Sequence, residues 1–186
     1  MLEFFLKKKY FYPNEYKKTI FDINFSDLKK IGIEHVLIEL DNTLISYEEN
    51  FPTKKIKNLI KNIKDLNLQV LIISNNRESR VKSFSGAIGC DYVYKAKKPL
   101  RSGFKRALKK LGNPNPETVC LIGDQFMTDV FGGKKMNFYV IVVDAIKRKT
   151  EKWYTKINRR LESKVLERLK RTDQDFYKKL HLEEKR

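Results

Sequence analysis

Cysteine is scarce in this chain of 186 residues, which contains only Cys90 and Cys120. The two form no Cys-x-x-Cys pair, and no cluster of cysteine and histidine accompanies them, so the sequence has no zinc-binding pattern. Each flanks an apolar run that is typical of a β-strand. We interpret both as small buried side chains of a protein that resides in a reducing cytoplasm.

Long apolar runs are also missing. No run approaches the roughly 20 residues that a helix needs to cross a bilayer. Residues 1–9 place their apolar side chains before their lysines, which is the reverse of the order in a secretory signal. Hydrophobic residues nevertheless make up 41% of the chain and aromatic residues 12%. This composition predicts one folded domain with a core of its own.

Positive charge is what the chain has in excess. The 40 lysine and arginine residues outnumber the 23 aspartate and glutamate residues, and the formal net charge is +17. Such a charge predicts attraction to nucleic acid, anionic lipid or acidic partners without choosing among them. A lysine-rich composition shared by all proteins of the organism would explain the same value.

One stretch organises the rest of the chain. Residues 36–39 fit either a short buried strand or a piece of helix, and the Asn42-Thr43 pair after them favours a strand that ends in a loop. Glu39 and Asp41 lie two residues apart where this strand ends, so their side chains point to the same side of an extended chain. Two carboxylates in a crevice beside a sheet repel each other, and a bound cation relieves the repulsion. A solvated turn is the alternative explanation of this pair.

Further polar residues follow later strand-like runs. A hydroxyl, a lysine and two more acids come in chain order after such runs: Ser74, Lys98, Asp124 and Asp129. Each of them has an ordinary explanation when taken alone, such as a helix cap, a surface lysine or a turn. Their joint occurrence in this order favours a common site.

These motifs resemble those of the haloacid dehalogenase (HAD) phosphatase superfamily. The resemblance is greatest to its small capless phosphatases of the YqeG type, which are related to phosphatidylglycerophosphate phosphatases of mitochondria and plastids. It covers roughly residues 10–145, with Lys98-Pro99-Leu100 and the Gly-Asp-Gln-x-x-Thr-Asp motif of residues 123–129 intact. One position departs from the pattern: the first motif of the family is Asp-x-Asp-x-Thr, and Glu39 occupies the place of its nucleophilic aspartate.

The resemblance implies a role for each site residue. The implied catalytic residues are Glu39, Asp41, Ser74 and Lys98, the implied substrate-binding residues are Thr43 and Asn75, and the implied Mg²⁺ ligands are Glu39, Asp41, Asp124 and Asp129. Glu39 would attack phosphorus, and Asp41 would act as general acid and then as general base. Lys98 would neutralise charge on the nucleophile and the phosphate. Mg²⁺ suits a set of ligands made only of oxygen atoms.

Glu39 leaves the activity open. Its side chain reaches roughly 1.5 Å further than that of aspartate, and misplacing a reacting atom by about 1 Å can cost on the order of a hundredfold in rate. The site is therefore that of an adjusted, slow phosphatase, of a protein that binds phosphate without hydrolysis, or of an engineered inactive form. The alternative function is an inactive HAD-fold protein that binds phosphate, RNA, a ribosome or a protein partner.

Strand-like runs and helical patterns alternate five times along the chain. This alternation predicts an α/β, three-layer Rossmann-like fold whose five-stranded parallel sheet has helices on both faces. Between residues 76 and 98 there is room for one helix and one strand only, so a HAD protein of this length would have no cap domain. An open site suits a bulky phosphorylated substrate, and family analogy makes phosphatidylglycerophosphate the leading candidate.

Local signals predict two helix boundaries. Ser26 is expected to cap a short helix that runs through Ile31. Gly132-Gly133 is expected to end the helix that begins near Gln125.

Residues 1–146 are predicted to form the HAD-like domain, with residues 1–24 as an aromatic and basic arm. This arm either packs across the sheet edge, as an arm or short helix, or lies on a membrane surface with its aromatic side chains at headgroup level. The aromatic residues in question are Phe4, Phe5, Tyr10, Phe11, Tyr12, Tyr16 and Phe21. We expect a cytoplasmic protein, with peripheral contact at the inner face of the membrane as an option.

Residues 147–186 are predicted to form a basic amphipathic helical extension. Its apolar residues share one helical face: Trp153, Ile157, Leu161, Val165, Leu166 and Leu169. Basic residues cover the rest: Lys152, Lys156, Arg159, Arg160, Arg168 and Lys170. Three interpretations stay open, namely a packed helix with a solvated basic face, an interfacial helix on anionic membrane, and an RNA-facing surface. Residues 172–186 are expected to fray.

Overall fold

Strands of three to five residues form the centre of the molecule. They are β1 (Glu15–Lys17), β2 (His35–Ile38), β3 (Gln69–Ile73), β4 (Asp91–Val93), β5 (Val119–Gly123) and β6 (Tyr139–Val143). All six pair in parallel in one sheet, in the order β1-β6-β5-β2-β3-β4. The structure is a computed structural model that describes residues 8–151 and 153–185.

Helices cover both faces of the sheet. They are α1 (Phe25–Lys30), α2 (Lys54–Asp65), α3 (Glu78–Ala87), α4 (Arg101–Lys110), α5 (Phe131–Lys134), α6 (Trp153–Thr172) and α7 (Gln174–Lys179), and a π-helical turn (Phe126–Val130) leads into α5. The first three pack on one face, and α4, α5 and α6 pack on the other. Within β2, Val36 and Ile38 belong to the first core and Leu37 to the second. This alternation confirms the predicted three-layer α/β fold.

The number of strands was predicted wrongly, because the sheet has six strands rather than five. The additional strand β1 lies within the segment expected to be an arm. Asn14 positions it: its backbone N–H donates to the carbonyl of Val140 (2.7 Å), and its side-chain oxygen accepts from the N–H of the same residue (2.9 Å). A strand of three residues has no apolar run of its own, so periodicity could not reveal it.

Most of the described aromatic residues of this segment pack against the domain, whereas Phe21 is 37% exposed. Phe11 is buried and stacks on Phe131 with ring centroids 5.0 Å apart, and Tyr16 is buried within β1. The hydroxyl of Tyr12 donates to a carboxylate oxygen of Asp173 (2.9 Å). Phe4 and Phe5 lie outside the described residues.

The predicted cap of α1 was wrong. Asn24, not Ser26, caps α1, because its extended backbone lets the side-chain oxygen accept from the N–H groups of Ser26 and Asp27. The helix that begins after Gln125 ends at Lys134, so its predicted end at Gly132-Gly133 is confirmed to within one residue, although neither glycine is the cap. A Cβ atom on Gly133 would lie 2.8 Å from side-chain atoms of both Leu121 and Val140. Because Gly133 has no side chain, α5 can approach the sheet closely at this point, and this contact rather than a helix cap explains the glycine.

No inserted domain covers the carboxyl edge of the sheet between residues 41 and 98, all of which the structure describes. That segment holds only α2, β3, α3 and β4 with their connections, so the absence of a cap over this range is confirmed. None of the helices in the described ranges is both long and apolar enough to cross a bilayer.

The C-terminal extension packs on the domain over most of its described length. Val165 and Leu169 of α6 are buried in the core shared with α4 and α5, and Leu182 is 1% exposed. The expectation that residues 172–186 fray is therefore wrong for their described part. Burial of Leu182 and a hydrogen bond from the Lys185 ammonium to the carbonyl of Val143 (2.8 Å) hold this part in place. The domain boundary at residues 146–147 stays a prediction.

Candidate active site

A cleft of about 290 Å³ opens at the carboxyl edge of the sheet. Of the predicted site residues, Glu39, Asp41, Ser74, Asn75 and Lys98 line it. Thr43, Asp124 and Asp129 are buried beside these residues. The convergence follows from the sheet order, because β2 lies between β5 and β3, and the segments after these parallel strands meet at one edge.

Lys98 joins two of the acids. Its ammonium donates to Glu39 Oε2 in a close contact and to Asp129 Oδ1 at 2.5 Å, and its side chain is only 2% exposed. Burial raises the pKa of Asp129, the Lys98 ammonium opposes this shift, and the nearby Asp124 carboxylate reinforces it. Gly123 leaves room for this arrangement, since a Cβ atom there would overlap the carboxyl group of Asp129.

Asp41 is held through both of its carboxylate oxygens. Oδ1 accepts from Nε of Arg80 (2.8 Å), and Oδ2 accepts from the hydroxyl of Ser74 (3.2 Å) and the side-chain amide of Asn76 (3.1 Å). These contacts fix the carboxylate at the cleft wall. Arg80 was not predicted, because no sequence signal separates it from the exposed Arg77 near the start of the same helix.

The loops around the cleft are tied to one another by amide side chains. Asn75 accepts from the backbone N–H of Lys98 (2.7 Å) and donates to its carbonyl (3.2 Å), so it supports the loop that carries the lysine. Asn42 adopts a left-handed backbone with φ of 63° and donates to Glu151 (3.0 Å). Thr43 donates to Asp124 Oδ1 at 3.4 Å. The predicted substrate contacts of Thr43 and Asn75 stay predictions.

Asp124 is paired with an arginine of the C-terminal extension. One terminal nitrogen of Arg159 closely contacts Asp124 Oδ2, and the other donates to the Asp124 carbonyl (2.9 Å) and to Glu162 (3.0 Å). Its Nε donates to Glu151 (3.0 Å). With 8% exposure, Arg159 does not belong to a solvated basic face, and that prediction was wrong.

The buried stripe of α6 explains why Arg159 was misplaced. The stripe contains two apolar residues, Val165 and Leu169, and continues at helical spacing toward the N-terminus through the polar residues Thr155, Arg159 and Glu162. The predicted apolar face begins instead with Trp153 and Ile157, which are 74% and 46% exposed. Extending the stripe of Val165 and Leu169 toward the N-terminus was the signal that could have found Arg159.

The comparisons with known proteins identify the family of this chain. The sequence profile of the haloacid dehalogenase-like hydrolases matches residues 3–137. The chain belongs to this family. It is 35% identical over 164 residues to "Probable phosphatase YqeG" of Bacillus subtilis strain 168, covering 88% of this chain and 94% of that protein. The family and this relative confirm the YqeG resemblance and support a phosphatase.

Solved structures agree with the fold of this HAD-like hydrolase. A crystal structure of a protein from Listeria monocytogenes serotype 4b matches with a TM-score of 0.50 at 18% identity. The match covers 62% of this chain and 84% of that one. At this identity the likeness shows the fold alone.

The C-terminal helix forms one wall of the hydrolase's cleft. Thr155 and Asn158 line it together with Tyr47, whose hydroxyl lies 3.5 Å from that of Thr155. Asn158 donates to the side chain of Gln125 (3.3 Å). The cleft is therefore less open than the lack of a cap suggested.

The carboxylates of the site are ligands of the kind that a divalent cation takes. Its ion pairs join seven carboxylates, which are Glu39, Asp41, Asp124, Asp129, Asp144, Glu151 and Glu162, to five cations, which are Arg80, Lys98, Arg148, Arg159 and Lys185. Among the described residues, no three acidic, histidine or cysteine side chains gather as a metal site. Mg²⁺ would therefore rely on two carboxylates and a backbone carbonyl, which are oxygen ligands that suit it.

Proposed function

We propose that this hydrolase is a Mg²⁺-dependent phosphomonoesterase that forms a covalent intermediate on Glu39. The observation that carries the proposal is the convergence of Glu39, Asp41, Ser74 and Lys98 on one cleft. A carboxylate nucleophile next to a buried ammonium, with a second carboxylate two residues away, supplies the groups that phosphoryl transfer to a side chain requires.

The reaction has two displacements. The Glu39 carboxylate attacks phosphorus as the bond to the leaving oxygen breaks, and Asp41 gives that oxygen a proton. Asp41 then takes a proton from water, the water oxygen attacks phosphorus, and inorganic phosphate leaves while the Glu39 carboxylate is regenerated. Lys98 and the hydroxyl of Ser74 stabilise negative charge on the phosphoryl oxygens. Mg²⁺, held by Glu39, Asp124 and the carbonyl of Asp41, would supply further neutralisation.

Glutamate at the nucleophile position is compatible with this proposal. The Glu39 carboxylate reaches both the ammonium of Lys98 and the backbone N–H of Asp41, which lies 3.4 Å from Oε1. It also lines the cleft. These contacts support a site adjusted to the longer side chain rather than one that has lost its nucleophile.

Hydrolysis of an aryl phosphate with Mg²⁺ tests the activity. We expect Asp41→Asn to lower kcat by about 10²- to 10⁴-fold, because the amide can neither give nor take the proton. Phosphate release is measured for the wild-type protein, for Glu39→Asp and for Asp41→Asn. If neither of the first two exceeds Asp41→Asn, the chain is not a phosphatase for this substrate class.

We further propose that the substrate is the phosphate group of a lipid in an anionic membrane. Most exposed large apolar side chains of the described residues lie on segments that border the cleft: Phe51, Leu100, Ile146, Trp153 and Ile157. Leu100 directly follows the Lys98-Pro99 pair of the cleft, and the backbone N–H of Ile146 donates to the carbonyl of Asn42 (3.0 Å).

The border of the cleft is also cationic. Exposed basic residues lie beside these apolar ones: Arg77, Lys97, Lys149 and Lys156. Apolar side chains at headgroup depth and cations near anionic lipid together favour a bilayer as the surface that covers the cleft. This arrangement supports a lipid substrate whose acyl chains stay in the membrane while its phosphate group enters the cleft.

Co-sedimentation with vesicles of phosphatidylcholine, with and without phosphatidylglycerol, tests this proposal. We expect binding to require the anionic lipid and Ile157→Ser to weaken it by about tenfold, because the variant loses apolar area that the bilayer would bury. Ile31→Ser is the matched control, since Ile31 is 58% exposed but precedes β2, at the other edge of the sheet. Equal binding by both variants would contradict a membrane-facing cleft. Release of the protein from the vesicles by added RNA at physiological salt would contradict it as well.

A further inference from the structure

The cation that neutralises Asp124 comes from the C-terminal helix. Arg159 is enclosed by three carboxylates, those of Asp124, Glu151 and Glu162, and its side chain is 9% exposed. Asp124 itself is completely buried. A buried guanidinium in such a place needs close ionic partners, because its desolvation is costly.

We propose that Arg159 is a tethered cation that competes with the divalent metal ion for Asp124, so that α6 sets the metal affinity of the site. The inference rests on the proposed function, in which Asp124 is a metal ligand. In the structure, Oδ2 of Asp124 is in close contact with the guanidinium, while Oδ1 accepts a long hydrogen bond of 3.4 Å from Thr43 and no other hydrogen bond from the described residues.

Arg159 can give up the Asp124 carboxylate without losing its other partners. Its Nε and one terminal nitrogen contact Glu151 at 3.0 and 2.7 Å, and the other terminal nitrogen contacts Glu162 Oε2 at 3.0 Å. The second oxygen of Glu162, Oε1, is buried and accepts no hydrogen bond from the described residues. This oxygen lies 3.6 Å from the ammonium of Lys185 and 3.9 Å from a terminal nitrogen of Arg148. When a metal ion takes its place at Asp124, Arg159 therefore keeps its contacts with Glu151 and with Oε2 of Glu162.

The two halves of α6 contact different surroundings. Val165 and Leu169 bury the second half of α6 in the core, whereas Arg159 lies in the first half, whose partners are polar. The same helix places Thr155 and Asn158 at the cleft. The helix α6 therefore both lines the cleft and supplies the cation that neutralises Asp124, a proposed metal ligand. Metal binding at Asp124 is thus coupled to the position of α6.

Metal titration of the Arg159→Gln variant tests the proposal. We expect Mg²⁺ by calorimetry, and Mn²⁺ by electron paramagnetic resonance, to bind with a Kd at least about tenfold lower than in the wild-type protein, because removing the guanidinium removes electrostatic repulsion of the metal. Arg159→Lys retains the charge and should bind metal within about threefold of wild type. Arg160→Gln makes the same change one residue later, at an exposed side chain, and should leave the Kd unchanged.

The outcomes separate this inference from the proposed function. A Kd that is unchanged or higher in Arg159→Gln, while the wild-type protein binds Mn²⁺, would overturn the competition and leave the metal-dependent phosphatase standing. Failure of both proteins to bind either metal would overturn both. Thermal unfolding provides a second readout: Mg²⁺ should raise the Tm of Arg159→Gln more than that of wild type, and an equal rise would contradict the inference.

Discussion

Glu39→Gln is expected to lower kcat for aryl phosphate hydrolysis by about 10³-fold or more, since it removes the nucleophile while keeping its shape. The amide oxygen can still accept from Lys98, so the cleft keeps its geometry. Neutral glutamine cannot form the acyl phosphate on which the proposed reaction depends. Steady-state kinetics in Mg²⁺ measure the loss, and the absence of a phosphorylated protein after rapid acid quenching locates it at the first displacement.

A matched control is available nearby. Glu48 is exposed and forms an ion pair with Lys147 at the protein surface, at 2.5 Å. Glu48→Gln changes the net charge by the same amount, and we expect kcat to stay within about twofold, as is usual for surface positions away from a site. Retention of more than about a tenth of the activity by Glu39→Gln would show that another group attacks phosphorus.

Lys98→Met is expected to lower the free energy of unfolding by about 3–5 kcal/mol, the cost of leaving buried charges without their partner. Lys98 lies between Glu39 and Asp129, and methionine fills a similar volume without supplying a charge. Chemical denaturation in urea at neutral pH measures the change. The variant should also lose phosphatase activity, because no other described ammonium contacts Glu39.

The neighbouring lysine controls for the substitution itself. Lys97 is exposed, and Lys97→Met should change the free energy of unfolding by no more than about 0.5 kcal/mol. A loss below about 1 kcal/mol in Lys98→Met would mean that Glu39 and Asp129 do not rely on this ammonium for their charge. It would then remove the physical basis for assigning Lys98 the role of charge neutralisation.

The site could be predicted from the sequence where chain order dictates position. Glu39, Ser74 and Asp124 each follow a strand, and parallel pairing brings such positions to one edge. Lys98 follows β4 in the same way. Apolar runs also mark strands, as in β6, which is formed by the run of residues 139–143.

Side chains that reach the site from elsewhere could not be predicted in this way. Arg80 and Arg159 both lie on helices that also carry solvated basic residues, and only the three-dimensional packing selects the inward-facing ones. The strand β1 was missed for a related reason. Its pairing with β6 depends on Asn14, a contact across the sheet that leaves no periodic trace in the sequence.

The face that α6 turns toward the sheet is polar around Arg159 and apolar around Leu169, and this division fixes where the helix lies along its own axis. A slide by one turn, about 5.4 Å, would carry the guanidinium into the hydrocarbon of the core or bring leucine against Asp124. Either shift would place a charged group among apolar side chains or an apolar side chain against a buried carboxylate. Sliding of α6 along its axis is therefore unfavourable in both directions. A helix whose inner face was apolar along its whole length would not have this restriction and could pack on the sheet at several positions along its axis.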